Sequence, residues 1–386
     1  MQYNFDEIIP RRKTDSEKWN KYGENILPYW VADMDFQSPQ PVIDALQERV
    51  SHGIFGYPLD DYSLKETICN RMENLYHWKV TPQEILFLPG VVTGFNLMVN
   101  ALTQPGEGVL MQPPVYPPFL FAPHYAKAIQ QNAPLLIDSN NHYSIDFDLF
   151  KDSINEKTKL FLLCNPHNPV GRVFTRTELQ NIAEICLRNN VYICSDEIHA
   201  DIIYQGFAHI PIASLSPEIA QKTITLMAPS KTFNIAGLGF SFAIIQNPDL
   251  METVKKTRSG LVSSPNLLGL TAALAAYNYG EEWLLQLLSY LHGNWQKLND
   301  FIATNIPGIK ITPIESTYLA WLDCKDLLVE KSPYEFFLNE AGVAFNDGKN
   351  FGSGGEGFVR FNFGCPRSLM VEGLERMQRA LEEIGR

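Results

Sequence analysis

With 386 residues, 45% of them hydrophobic and 19% charged, the chain is long enough for about two domains and has the balance of an ordinary globular protein. A net charge of −12 argues against nucleic acid or an anionic membrane as a general partner, while leaving open a small ligand in a pocket of opposite sign. No apolar run approaches the roughly 18 residues of a membrane span, and the polar start (Arg11, Arg12, Lys13, Asp15) lacks the apolar core of a secretion signal, so a cytoplasmic location is expected.

The first thirty residues are polar and aromatic with little periodicity. Ser38, Pro39 and Pro41 open a helical segment that ends near Gly53, with Val42, Leu46 and Val50 on one face. A second helix is predicted over Tyr62 to His77, carrying Leu64, Ile68, Met72 and Leu75. From Ile85 onward short apolar runs alternate with helical stretches. The runs are Ile85–Leu88, Val109–Met111, Leu160–Cys164, Val191–Cys194, Ile224–Met227 and Phe240–Ile245. One intervening helix, Thr177 to Arg188, is announced by the capping-box pattern Thr175-x-x-Glu178. This alternation predicts parallel strands joined by crossover helices, in a sheet covered on both faces. A long helical region follows Pro265 and runs to about Leu291. Beyond it come a strand near Tyr318–Leu322, a helix near Pro333–Ala341, a strand at Phe358–Phe363 and a last helix from Pro366. The expected division is a large domain over 46–290, a small domain over 291–386, and an N-terminal segment, 1–45, that joins the small one. The six cysteines (Cys69, Cys164, Cys186, Cys194, Cys324, Cys365) form no C-x-x-C pair. Most lie in apolar runs, the pattern of buried reduced thiols rather than of a zinc site.

Four chemically rich turns stand just after apolar runs. Gly90-Val-Val-Thr93-Gly94 follows the first, Asn165-Pro-His-Asn168 follows Leu160–Cys164, Ser195-Asp196-Glu197 follows Val191–Cys194, and Pro229-Ser230-Lys231 follows Ile224–Met227. In a wound parallel sheet the carboxyl ends of strands converge on one crevice where ligands bind. A lysine, an aspartate, an asparagine and a glycine-rich turn therefore gather at one edge. That set suits pyridoxal 5′-phosphate (PLP). PLP needs an amine for its aldehyde, an anion for its ring nitrogen, a donor for its phenolate oxygen and amides for its phosphate.

Two segments are specific enough to carry a resemblance: Ala228-Pro-Ser-Lys231-Thr-Phe-Asn-Ile-Ala-Gly237 and Cys164-Asn-Pro-His-Asn168-Pro-Val-Gly-Arg172. With Trp30-Val-Ala-Asp-Met-Asp-Phe36 and Arg360-Phe-Asn-Phe-Gly364, they make the chain similar, over nearly its whole length, to the class I/II aminotransferase superfamily. Within it the chain most resembles the carbon–sulfur lyase branch of MalY/PatB-type cystathionine β-lyases. The resemblance implies the α/β PLP-dependent transferase fold type I, a mostly parallel central sheet wrapped by helices beside a smaller α+β domain.

It also implies roles. Lys231 holds PLP as a Schiff base and then acts as the base at the substrate Cα. Asp196 faces the ring nitrogen and Asn168 the phenolate oxygen. Val92 and Thr93 offer amides to the phosphate at a helix N-terminus, and Ser230 adds a hydroxyl. Tyr116 stacks on the ring, and Arg360 binds the substrate carboxylate. Tyr57, in Phe55-Gly-Tyr57-Pro, reaches the cofactor phosphate and substrate side of a second copy's site, which makes a homodimer the expected active unit. His199 stands where many aminotransferases have a tyrosine; it is either a second phenolate donor or an uninvolved neighbour. Gly239 stands where they often have a phosphate-binding arginine. The expected reaction is β-elimination from L-cystathionine or a related cysteine conjugate. Transamination of an L-amino acid is the alternative, since it shares the same early steps. A PLP-binding regulatory module is a third reading, disfavoured because the chain carries no basic DNA-binding extension.

Overall fold

A computed structural model describes residues 2–327, 329 and 331–385. Its centre is a seven-stranded sheet of β1 (Ile85–Leu88), β2 (Gly108–Met111), β3 (Ile129–Asn132), β4 (Thr158–Cys164), β5 (Tyr192–Asp196), β6 (Thr223–Met227) and β7 (Ser241–Ile244). The spatial order is β1-β7-β6-β5-β4-β2-β3. Strands β6, β5, β4, β2 and β3 run parallel. The sheet is mostly parallel, as expected, with one reversed strand: β7 is antiparallel to both β1 and β6. The reason lies in its connection. Residues 228–240 between β6 and β7 hold one short 3-10 turn, Ala236–Leu238. They turn the chain back rather than crossing over the sheet as a full helix does.

Strands β1, β2, β6 and β7 are buried throughout and apolar but for Thr223, Thr225 and Ser241, as a sheet covered on both faces requires. Register places their functional ends level. Cys164 pairs with Asp196 and Asp196 with Leu226. On β7, Ser241 and Phe242 align with Leu88 and Met227. The turns after β1, β4, β5 and β6 thus share one edge, as expected from sequence. Helix Arg176–Arg188 begins at the predicted capping box, with Thr175 Oγ1 accepting from the Glu178 amide and the Glu178 carboxylate from the Thr175 amide.

A second, antiparallel sheet is built from β8 (Lys310–Ile311), β9 (Leu319–Asp323), β10 (Asn346–Asp347) and β11 (Phe358–Asn362), ordered β8-β9-β11-β10. Its core is continuous with the N-terminus: Phe5, Leu27, Tyr29 and Phe36 pack in one cluster with Trp283, Leu291, Phe361 and Met377. The predicted helical region after Pro265 is two helices, Leu267–Tyr279 and Glu281–Asn305, with Gly280 between them. The expected division at 290/291 falls inside the second, unbroken helix. The segment 333–341 begins as one α-turn and continues as a π-turn. No helix among the described residues is long and apolar enough to cross a membrane.

Candidate active site

Lys231 follows β6, and its side chain crosses the crevice to donate from Nζ to the Ala32 carbonyl at 2.6 Å. The same oxygen accepts from the Tyr318 hydroxyl at 3.0 Å. Burial draws the Lys231 amine down to about 8; Asp33 opposes this, Arg360 adds to it and Asp196 opposes it again. Near neutrality an appreciable share of this amine is unprotonated, as a general base requires.

Asp196 ends β5, buried, and accepts from the Ile198 amide at 3.1 Å. Burial raises its pKa to about 7, with the Ile198 bond and Lys231 working against that rise. Glu197 beside it takes a structural role. It is buried and accepts from the Ser195 hydroxyl, the Ile212 amide and, at 2.7 Å, pairs with His209.

Arg360 rises from the middle of β11, opposite Trp321 and Asn346, and is buried. Its guanidinium donates to Asn168 Oδ1 at 2.9 Å, to the Trp30 carbonyl at 2.9 Å and to Asn346 Oδ1 at 2.5 Å. Burial lowers it to about 10, so it stays charged at neutral pH. Because Asn168 Oδ1 is occupied, the asparagine has its Nδ2 hydrogens left to donate. Arg360 Nε is buried without a partner. Tyr116 lies half-buried within electrostatic reach of Arg360 and Asp196, and burial raises its pKa.

His199 is buried and packs edge-on against Tyr318, with ring centroids 6.1 Å apart. Burial, then Lys231 and Arg360, hold it down to about 3. It is therefore a neutral imidazole, and its Nδ1 has no partner. Val92 and Thr93 occupy the first turn of helix Val91–Leu102, directly after Gly90. Amides there have no acceptor inside the helix. Ser230 is half-buried beside Lys231.

Tyr57 is not brought to this group within one chain. Its side chain is fully exposed, alongside exposed Ile54, Phe55 and Leu59. Gly239 has a positive φ of 61°, and a Cβ there would lie 3.3 Å from the Pro89 carbonyl. This left-handed backbone suits glycine and disfavours the arginine found at that position in many aminotransferases.

The residues present fit PLP. Asp196 is a buried carboxylate that a protonated ring nitrogen would compensate, the Asn168 amide is already turned by Arg360, and His199 Nδ1 and Arg360 Nε are buried polar atoms without partners. Sequence reasoning did not assign roles to Asn234, Asn362 or Tyr318, which hold the Trp30–Phe36 segment over Lys231. Asn234 bonds Met34 N, Met34 O and Phe36 O. Asn362 bonds the carbonyls of Val31 and Asp33. Both asparagines sit inside motifs quoted above, but their partners lie about 200 and 330 positions away.

Fold and site together define a PLP-dependent protein of fold type I. A model of the class I and II aminotransferase family matches residues 29–377, and the chain belongs to that family. It is 41% identical to the cystathionine β-lyase PatB of Bacillus subtilis, over 98% of this chain and 100% of that one. Among solved structures it is similar to cystalysin from Treponema denticola, which contains PLP. There the TM-score is 0.95 and identity 36%, covering 100% of each chain. It is also similar to a PLP-bound C-S lyase from Staphylococcus hominis, with a TM-score of 0.93, 36% identity and 99% of each chain covered.

Proposed function

We propose that this chain is a PLP-dependent carbon–sulfur β-lyase that cleaves L-cystathionine, or a related cysteine S-conjugate, to a thiol, pyruvate and ammonia. The observation that carries this reading is the end-to-end 41% identity to a cystathionine β-lyase. The positions of Lys231, Asp196 and Asn168 suit a lyase and an aminotransferase equally.

PLP, when bound, supplies an aldehyde for the amino group and a conjugated ring that accepts electron density from Cα. The chain does the rest. Arg360 takes the substrate α-carboxylate on its remaining donors, a charge-assisted contact in a dry site. Lys231, whose amine burial draws toward the unprotonated form, would remove the Cα proton. The Cβ–S bond then breaks, the electron pair leaves with sulfur, and the thiolate takes up a proton. The released aminoacrylate is hydrolysed by water to pyruvate and ammonia.

Asp196, a buried carboxyl at the end of β5, would hold the ring nitrogen and favour its protonated form. Asn168 Nδ2 and neutral His199 serve the phenolate oxygen. The Val92 and Thr93 amides, with the Ser230 hydroxyl, hold the phosphate, and Tyr116 stacks on the ring. Tyr57 completes the site of a second copy in a homodimer.

The test is a panel of L-cystathionine, L-cysteine and common amino acids given to purified protein with PLP, with and without 2-oxoglutarate. Pyruvate and free thiol from cystathionine without a keto acid are the expected products. Glutamate formed only when 2-oxoglutarate is present would make the chain an aminotransferase instead.

A further inference from the structure

The segment from Trp30 to Phe36 has no regular secondary structure, yet side chains bind its carbonyls one after another. Trp30 O accepts from Arg360, Val31 O from Asn362, Ala32 O from Lys231 and Tyr318, Asp33 O from Lys18 and Asn362, and Met34 O from Asn234 and Arg11. Most of these donors come from β11 or the Lys231 loop. Lys18 and Arg11 instead come from the N-terminal segment.

Lys18 stands apart because its side chain is 0% exposed. Its ammonium touches Asp35 Oδ2 at 2.7 Å, Asp33 O at 3.1 Å and Asp33 Oδ1 at 3.5 Å. Asp35 is also buried and holds Trp19 Nε1 at 2.7 Å and Arg11 at 2.5 Å. Taking an ammonium out of water is costly unless it is fully paired, and the reaction has no use for this one. The Ala32 carbonyl, which receives the Lys231 amine, lies in the peptide plane that ends at Asp33. Lys18 fixes Asp33 from both its carbonyl and its carboxylate.

We propose that Lys18 is a positioning residue: through Asp33 and Asp35 it holds the Ala32 carbonyl where the Lys231 amine docks. The proposal rests on the reading of Lys231 as the cofactor-bearing lysine. Besides Asp33, the charged or titratable groups facing that amine are Asp196 at the end of β5, Arg360 on β11, His199, and Tyr318, whose hydroxyl shares the Ala32 oxygen. None of these touches Lys18.

The test uses cofactor-free, full-length protein and the pH profile of cyanate carbamylation at Lys231, read by mass spectrometry. The wild-type midpoint is expected at about 8. Loss of a well-placed carbonyl acceptor destabilises the ammonium form, so Lys18→Met lowers the midpoint by about one unit. Coulomb's law alone gives the opposite sign, because deleting a nearby positive charge favours protonation. Lys18→Leu, also without a donor, is expected to shift the same way and carries the test if Lys18→Met does not fold. Arg11→Met removes a charge from the same two carboxylates but leaves Lys18 on the Asp33 carbonyl, and is expected to give no downward shift. A midpoint that rises or stays put in the Lys18 variants, or falls equally in Arg11→Met, overturns the proposal. Added PLP separates this from the functional reading. Failure of PLP to block carbamylation of wild-type Lys231 sinks that reading, whereas full protection with an unshifted Lys18 midpoint removes only the role of Lys18.

Discussion

The roles proposed for Lys231, Asp196 and Arg360 are separable, and each yields its own measurement. If Lys231 is both the cofactor's anchor and the base, replacing it by alanine should abolish turnover and the absorbance of lysine-bound PLP together. Retained wild-type turnover would refute the assignment. Arg360→Ala leaves a buried substrate carboxylate unpaired and also frees Asn168 Oδ1. It is expected to cost ~2–5 kcal/mol, read mainly as a raised KM.

Asp196 shows the conflict between function and stability. Burial pushes its carboxyl well above the usual carboxylate range, to about 7. A carboxyl whose pKa is raised by folding contributes stability that is fully present below its unfolded pKa and is lost as pH rises through the folded one. Urea titrations of cofactor-free protein should therefore show Asp196→Asn gaining on wild type from about pH 4 to about 7, with a constant advantage above that. The same variant should lose about a hundredfold or more in kcat, since ~3 kcal/mol of lost ring-nitrogen stabilisation is already two powers of ten. A pH-independent stability difference would show that Asp196 is not buried as an anion.

At the scale of elements, the crevice depends on how the Trp30–Phe36 strap and helix Leu267–Tyr279 seat against the Lys231 loop. Asn234 adopts a positive φ of 56° and satisfies three backbone groups of the strap. Asn234→Ala should destabilise the protein by about 2–4 kcal/mol in urea unfolding, at roughly 1 kcal/mol for each bond lost plus the burial of unpaired groups. On the other side of the loop, Gly269 lets the helix approach so closely that a Cβ would lie 2.6 Å from the Leu238 carbonyl. Gly269→Ala should be destabilising despite alanine's better helix propensity. An unchanged unfolding midpoint would mean that the helix can shift without disturbing the loop.

For the whole molecule, the side chains of Ile54, Phe55, Tyr57 and Leu59 are exposed together, and the proposed homodimer would cover them while carrying Tyr57 to its neighbour's site. Complementation tests this directly. Lys231→Ala and Tyr57→Ala chains, each inactive or weak alone, should recover roughly a quarter of wild-type activity when mixed and reassembled, because half the dimers are then mixed and each has one intact site. No recovery from a mixture that sediments as dimers would place Tyr57 outside the catalytic machinery.

What the sequence by itself determined was mostly local. Apolar runs bounded by turn residues located six of the seven strands of the large sheet, because strands covered on both faces are mainly apolar; the edge strand β3 (Ile129–Asn132) is polar and largely exposed and gave no such run. The capping box at Thr175 and Glu178 marked a helix start. The placement of Lys231, Asp196 and Asn168 at strand ends brought them to one edge, because parallel strands share a polarity. Only tertiary structure decided matters of pairing. The reversal of β7 depends on the connection 228–240 turning back along the sheet edge instead of crossing over it. The continuity of helix Glu281–Asn305 across the expected division depends on a core shared with the N-terminus. The seating of Lys18, Asn234 and Asn362 on one irregular strap depends on contacts across as many as 331 positions. A polar side chain's partner is set by where the chain returns in space, and no local spacing encodes that.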